Sequence, residues 1–299
     1  MVDISQLKIQ AETMFATQLS LVDTPASGFQ DWQQISQLVA ALARRMNWKI
    51  IGVSGAQGTG KSSLSATLAQ SLQHMMLAQS SGLSVRAASI DDFYLSRQRR
   101  TELAARVHPL LQTRGVPGTH DTKVLSEVLT GVSAGSARIG LPRFDKGLDD
   151  CVGSLPLESV DVLILEGWCM GVKAEPLEAL AAPCNELERT EDAQGVWRNW
   201  VNERISQDYE PLWPQVDFWL HLRVPSFAQV MSWRSEQEQQ IPAHQRMTSV
   251  QIARFIKHYE RLTRWMLESE VMAPGLSINL DASHRVAQCR FVLPSDRSA

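Results

Sequence analysis

Cysteine is scarce in this 299-residue sequence, and its four copies lie far apart. They form no C-x-x-C pair, and no group of histidines has the spacing of metal ligands. These absences argue against a zinc site and against the disulfide framework of a small secreted protein. They predict a cytoplasmic protein whose thiols are reduced and mostly buried: Cys151, Cys169, Cys184 and Cys289.

Signals for export, membrane insertion and nucleic-acid binding are also lacking. The first residues do not follow the basic and then apolar order of a signal peptide, and no apolar run approaches membrane-spanning length. The formal charge is −3, and no Lys/Arg cluster carries interleaved aromatic residues. We therefore expect no nucleic-acid partner and no membrane association, while the oligomeric state stays open.

A phosphate-binding motif is present in the setting that it needs. The apolar stretch 48–53 leads into G-x-x-x-x-G-K-S at 55–62, and a helical pattern follows. Lys61 is expected to reach the β- and γ-phosphates of ATP, and the Ser62 hydroxyl can ligate Mg²⁺. The sequence has no N-K-x-D motif for guanine, which favours ATP. The predicted nucleotide-binding residues are Gly55, Ala56, Gln57, Gly58, Thr59, Gly60, Lys61, Ser62 and Ser63.

Five apolar segments separated by helical patterns predict an α/β fold with a doubly wound, mainly parallel five-stranded sheet flanked by helices. The segments lie at 48–53, 83–90, 162–165, 218–224 and 276–280. We assign the whole chain to a single domain with three additions to the sheet. They are an N-terminal helical extension at 1–46, a loop-rich substrate-side insertion at 95–158, and a lid with C-terminal helices at 225–272.

Acidic residues at strand ends mark the expected active site, because ligands bind at the carboxyl ends of strands in such a sheet. Asp91 and Asp92 follow the second predicted strand, and Glu166 ends the third. We predict that Glu166 lies beside the metal with Ser62, and that Asp91 is the general base for an attacking hydroxyl. The opposite assignment of the two carboxylates stays open, and Asp92 could instead cap a helix.

Cations close to glycine and proline turns in the insertion suit a small anionic substrate. His120 could equally cap the helix that begins near Asp121. The predicted substrate-binding residues are Asp92, Tyr94, Arg114, His120, Arg143, Asp145 and Lys146.

Arg234 continues the apolar stripe of Phe227, Val230 and Met231 on the helix that starts at Pro225. An arginine turned inward needs an anionic partner, and a phosphate is one candidate. An ordinary salt bridge or a side chain that extends along the edge of the core is the alternative.

Five motifs, taken in chain order, resemble the ATP-dependent D-glycerate 3-kinase family. They are G-A-Q-G-T-G-K-S at 55–62, S-I-D-D-F-Y-L at 89–95, T-R-G-V-P-G-T-H-D at 113–121, P-R-F-D-K at 142–146 and L-E-G-W at 165–168. The family looks like a branch of the P-loop kinases, together with uridine kinase, phosphoribulokinase and bacterial pantothenate kinase. The resemblance implies a P-loop kinase fold, ATP with Mg²⁺, and transfer of the γ-phosphoryl group to a hydroxyl of a small metabolite.

The resemblance also implies roles for single residues. Asp91 matches the general base, Glu166 the acidic residue after the third strand, and Arg234 a basic residue of the lid. Arg143 and Asp145 match a substrate-side loop. D-glycerate is the first choice of acceptor, and pantothenate or a nucleoside are others. An ATPase or GTPase switch and a nucleotide-binding regulatory protein stay open as different classes of function.

Overall fold

The computed structural model describes residues 4–15, 31–77, 84–136, 138–157, 159–239 and 246–292. The predicted turn at 80–82 lies outside these ranges. The helices are α1 (Ile4–Phe15), α2 (Asp31–Met46), α3 (Lys61–Leu77), α4 (Arg97–Arg106), α5 (Thr122–Ser133), α6 (Glu186–Glu191), α7 (Val196–Arg204), α8 (Phe227–Gln239) and α9 (Ser249–Glu268). The strands are β1 (Ile50–Gly55), β2 (Val85–Ser89), β3 (Ile139–Asp145), β4 (Asp150–Leu157), β5 (Val162–Gly167), β6 (Phe218–Arg223), β7 (Gly275–Leu280) and β8 (Val286–Val292).

The central sheet has the strand order β2-β5-β1-β6-β7-β8. The first five of these strands pair in parallel, and β8 pairs antiparallel with β7. The predicted doubly wound α/β fold is confirmed, but the described sheet has six strands rather than five. β8 carries exposed polar side chains such as Gln288 and Arg290, so its apolar pattern is weak.

Helices cover both faces of the sheet. Ile51 and Val53 of β1 face a core formed with α1, α2, α3 and α8, whereas Ile50 faces a second core formed with α5 and α7. β1 is buried along its whole length. This is the expected state of a parallel strand that lies between two helical layers.

The N-terminal extension is helical at 4–15 and 31–46, as predicted. On α2, the side chains of Ile35, Leu38 and Val39 are fully buried. They recur at helical spacing, so one face of the helix joins the core that α3 also enters.

The insertion is more regular than the predicted loop-rich segment. Residues 95–157 contain α4, α5 and an antiparallel hairpin of β3 and β4. Gly140 and Pro142 occur within β3, and both residues usually disfavour strands. Pro142 is tolerated because both strands of a two-stranded sheet are edge strands, and an edge strand has a partner on one side only.

The segment predicted to form a lid contains α8 and α9, and residues 240–245 between them lie outside the described part. Phe227 and Val230 are buried as predicted, but Met231 is 40% exposed and does not belong to the inner stripe. Within the described ranges, no helix combines the length and the apolar character needed to cross a membrane.

Buried histidines make stability depend on pH. His221 is buried on β6, its Nε2 lies 2.8 Å from the Met272 carbonyl oxygen, and burial lowers its pKa to about 4 from an ordinary 6.5. The unfolded chain therefore binds more protons between these values, so the contribution is fully present above pH 6.5 and declines as the pH falls towards 4.

We expect His221→Gln to reduce this pH dependence, because glutamine can keep a donor near Met272 but does not titrate. Between pH 7.5 and 5.0, the free energy of unfolding should fall by about 2 kcal/mol less in the variant than in the wild type. Urea unfolding at both pH values measures the difference. Equal pH dependence in the two proteins would contradict a neutral buried His221.

Candidate active site

The phosphate loop joins the end of β1 to the start of α3. Gly58 and Gly60 have positive φ angles of 83° and 88°, which glycine adopts without steric cost. A Cβ atom on Gly58 would lie 2.7 Å from the Cβ of Trp233 on α8. The loop therefore depends on glycine both for its turn and for its close approach to α8.

Lys61 is the first residue of α3, and its ammonium group folds back over the loop. Its Nζ donates to the Ala56 carbonyl oxygen at 2.9 Å, and Thr59 Oγ1 donates to the same oxygen at 2.9 Å. Burial lowers the pKa of Lys61, although the carboxylates of Glu166 and Asp91 act in the opposite direction. Both carboxylates therefore favour the protonated, positively charged form of Lys61.

Ser62 and Glu166, the two residues predicted to lie beside the metal, are in direct contact. Ser62 Oγ donates to Glu166 Oε1 at 2.9 Å. β5 lies between β2 and β1, with Glu166 opposite Val53 in one pair and opposite Ser89 in the other. A hydroxyl and a carboxylate oxygen fit Mg²⁺, which takes one or two protein ligands and completes its shell with water and phosphate oxygens. Among the described residues, no group of three or more His, Cys, Asp or Glu forms a complete metal cage.

Asp91 lies in a short 3₁₀ turn directly after β2, and both of its carboxylate oxygens have partners. Oδ1 accepts a hydrogen bond of 2.6 Å from the Tyr94 hydroxyl, and Oδ2 accepts one of 2.7 Å from Lys146 Nζ. Burial acts to raise the pKa of Asp91, but the Lys146 charge and the two hydrogen bonds outweigh it and lower the pKa. Asp91 is therefore a carboxylate at neutral pH.

Asp92 has a local structural role. Its Oδ2 accepts from the Ser89 N–H at 3.3 Å and completes a capping box around the 3₁₀ turn. Burial raises the pKa of Asp92. This geometry favours the capping alternative over substrate binding for Asp92.

Asp149 and the ring of Phe144 connect the β3–β4 hairpin to the rest of the insertion. Asp149 forms ion pairs with Arg100 and with Arg114. Both guanidinium groups lie over the ring of Phe144, at 5.7 and 5.5 Å from its centroid, and this ring packs edge-on against Tyr94. Arg114, predicted as a substrate ligand, is thus paired within the protein.

The tip of the hairpin carries three of the predicted substrate residues. Arg143 is exposed on β3. Asp145 Oδ1 accepts from the N–H groups of Gly147 and Leu148 at 2.7 and 2.9 Å, so it shapes the turn, and these bonds lower its pKa. Lys146 lies in that turn and extends to Asp91.

His120 does not cap α5, because the cap is Asp121, whose side chain accepts from the Val124 N–H. His120 is 4% exposed, its ring lies 4.8 Å from that of Tyr94, and its Nδ1 is 2.6 Å from the Tyr209 hydroxyl. Burial lowers the pKa of His120 to about 4, so the ring is neutral at physiological pH.

Two aromatic residues near the site were missed in the sequence. Tyr259 of α9 donates to the Arg114 carbonyl oxygen at 2.8 Å, and Trp168 Nε1 donates to that of Gly115 at 2.9 Å. Gly115 has a φ of 111°, and a Cβ there would lie 2.6 Å from the Tyr259 hydroxyl. Trp168 stands in the L-E-G-W motif, but the role of Tyr259 had no local signal because its partners lie far away in the chain.

Arg234 of α8 faces inward but already has partners. Its guanidinium pairs with Glu238 at 2.8 Å and lies 5.5 Å from the centroid of Phe255. With Gln57 of the phosphate loop it lines a small cavity of about 10 Å³. The salt-bridge alternative is therefore realised, and it leaves Arg234 beside the loop.

A phosphate loop after a central parallel strand, with carboxylates at the ends of two neighbouring strands, defines the class of P-loop kinases. Comparisons with known proteins agree with this class. The uncharacterized kinase mug58 of Schizosaccharomyces pombe is 32% identical over 230 residues, which cover 70% of this chain and 78% of the yeast protein. The chain belongs to the D-glycerate 3-kinase-like family of P-loop kinases.

Two further relatives agree with this assignment. The Saccharomyces cerevisiae protein named "Probable ATP-dependent kinase TDA10" is 30% identical over 224 residues, which cover 69% of this chain and 73% of the yeast protein. The chloroplastic D-glycerate 3-kinase of Arabidopsis thaliana is 27% identical over 202 residues, which cover 63% of this chain and 41% of the Arabidopsis protein. No protein-family model matches the chain.

The fold resembles that of D-glycerate 3-kinase from Cryptococcus neoformans. The TM-score is 0.72 at 24% identity, and the match covers 89% of this chain and all of the other. The two yeast relatives, both named as kinases, identify the protein as an ATP-dependent kinase, which is a phosphotransferase.

Proposed function

We propose that this kinase transfers the γ-phosphoryl group of ATP to a hydroxyl of a small anionic metabolite, with D-glycerate as the first candidate. The observation that carries the proposal is the pair of Asp91 and Lys146 near the phosphate loop. It combines a carboxylate that can accept a hydroxyl proton with a cation that can bind an anionic group. The Arabidopsis relative, a D-glycerate 3-kinase by name, supports the choice of acceptor.

The proposed roles follow from the chemistry of each group. Lys61 and the loop N–H groups stabilise negative charge on the transferred phosphoryl group. Asp91 orients the acceptor hydroxyl and takes its proton, and Arg234 neutralises charge when it exchanges Glu238 for a phosphate. Arg143, on the exposed face of β3, assists in holding the anionic acceptor.

Ser62 and Glu166 would hold Mg²⁺, which supplies positive charge to the phosphate oxygens when it is bound.

We also propose that residues 1–299 act as a single kinase domain. Because its cysteines are free thiols, we propose the cytoplasm as its compartment.

The acceptor is tested by ADP release from the purified protein with ATP and Mg²⁺. D-glycerate, L-glycerate, pantothenate, uridine and ribulose 5-phosphate are compared with a reaction without acceptor. We expect stimulation by D-glycerate alone. Stimulation by another compound would replace glycerate and keep the kinase reaction. ATP binding without turnover on any acceptor would favour the regulatory alternative, and acceptor-independent hydrolysis unchanged in Asp91→Asn would favour an ATPase switch.

A further inference from the structure

We propose that Lys146 blocks the general base, Asp91, through their ion pair until an anionic acceptor draws Lys146 away. This block limits the hydrolysis of ATP by water, and we call Lys146 the latch. The proposal rests on the proposed function and deepens it, because it states why the acceptor must carry a negative charge. It starts from the two bonds that occupy the carboxylate of Asp91.

A general base must present a carboxylate oxygen to the hydroxyl that it deprotonates. In Asp91, Oδ1 is held by Tyr94 and Oδ2 by Lys146. Tyr94 is 6% exposed and packs between His120 and Phe144. The Lys146 side chain is 63% exposed, so it is the partner that can leave.

The backbone that carries Lys146 is fixed, although its side chain is exposed. Arg100, 1% exposed, donates to the carbonyl oxygens of Leu95 and Gln112 and also to that of Asp149 in the turn of the hairpin. Asp145 closes the same turn through its two backbone bonds. Release of Asp91 therefore needs only rotation of the flexible lysine stem.

An anionic acceptor can exchange partners with this ion pair. Lys146 leaves one carboxylate for another, so its charge stays paired, and Oδ2 of Asp91 becomes available to the acceptor hydroxyl. Because the ammonium and Oδ2 start in contact, the acceptor should carry its anionic group and its hydroxyl close together, as in a short hydroxy acid.

The reaction is then a balanced transfer. The acceptor oxygen forms a bond to the γ-phosphorus, the bond from that phosphorus to the β–γ bridging oxygen breaks, ADP leaves, and Asp91 receives the hydroxyl proton. Water carries no anion with which to draw Lys146 away. Without an acceptor, Oδ2 stays occupied, and activation of water is suppressed.

The latch is tested with Lys146→Met, Lys146→Arg and a matched control, Lys123→Met, on the exposed face of α5. ADP release is measured with ATP and Mg²⁺, without an acceptor and across a range of D-glycerate concentrations. Lys146→Met should raise the acceptor-free rate at least about tenfold, a part of the 10²–10⁴ that a general base contributes. It should also raise the KM for D-glycerate by about 10- to 100-fold, the worth of a charge-assisted hydrogen bond.

The two readouts separate the latch from simpler roles. Lys146→Arg should have a KM for D-glycerate close to that of the wild type. Lys123→Met should match the wild type in both the acceptor-free rate and the KM. A raised KM with an unchanged acceptor-free rate would make Lys146 a substrate ligand only and overturn the latch. A raised acceptor-free rate with an unchanged KM would overturn the exchange of partners. If no acceptor stimulates the wild type, the proposed function fails, whereas the acceptor-free rate of Lys146→Met still decides whether Asp91 is shielded.

Discussion

Lys61→Ala is expected to remove nearly all phosphoryl transfer. The ammonium group lies over the phosphate loop, 2.9 Å from the Ala56 carbonyl oxygen, and is the cation that the motif supplies to the β- and γ-phosphates. Loss of one preorganised charge at a developing anion lowers kcat by about 10²–10³ or more. Steady-state ADP release under saturating ATP and acceptor measures the loss.

The control for this experiment is Lys123→Ala, which removes an exposed lysine from α5 and should leave the rate unchanged. Circular dichroism of both variants checks that they are folded. Near-wild-type turnover in Lys61→Ala would rule out the phosphate-loop assignment, since Lys61 is the side chain of the motif that is expected to bind the transferred phosphoryl group.

Asp91→Asn is expected to lower the rate of transfer by roughly 10²–10⁴ while ATP affinity stays nearly intact. The amide oxygen can still accept from Tyr94, so the 3₁₀ turn should persist, but the amide cannot take a proton from the acceptor. Single-turnover transfer and equilibrium ATP binding separate the two effects.

Glu166→Gln provides the matched comparison. The amide keeps a partner for Ser62 but loses the charge that would attract Mg²⁺, so we expect weaker Mg²⁺-dependent ATP binding. If Asp91→Asn weakens ATP–Mg²⁺ binding and Glu166→Gln mainly slows transfer, the roles of the two carboxylates are exchanged.

Much of the fold and part of the site could be predicted because they depend on local order along the chain. The phosphate loop needs only a strand, a glycine turn and a helix in sequence. Asp91 and Glu166 could be assigned to one edge because parallel strands share the direction of their carboxyl ends. The contact of Ser62 with Glu166 follows from the same rule once β5 is next to β1.

The remaining features depend on contacts between distant residues, which no local pattern encodes. Lys146 could be recognised as a cation near a turn, but its pairing with Asp91 requires the hairpin to pack against the 3₁₀ turn Ile90–Phe93, which lies far away in the chain. The burial of Arg100 had no signal in its polar segment, because its partners are mainly carbonyl groups. For Asp92 the sequence leaves both substrate binding and capping open, and the backbone bond to Ser89 favours capping.

The position of β1 in the sheet also bears on how the protein is made. In the described sheet β1 pairs with β5 and β6, and the ribosome completes β5 roughly a hundred residues after β1. At roughly 5–20 residues per second, this interval lasts roughly 5–20 s. During that time the nascent chain carries an apolar strand without its final neighbours, which is when a chaperone would protect it best from aggregation.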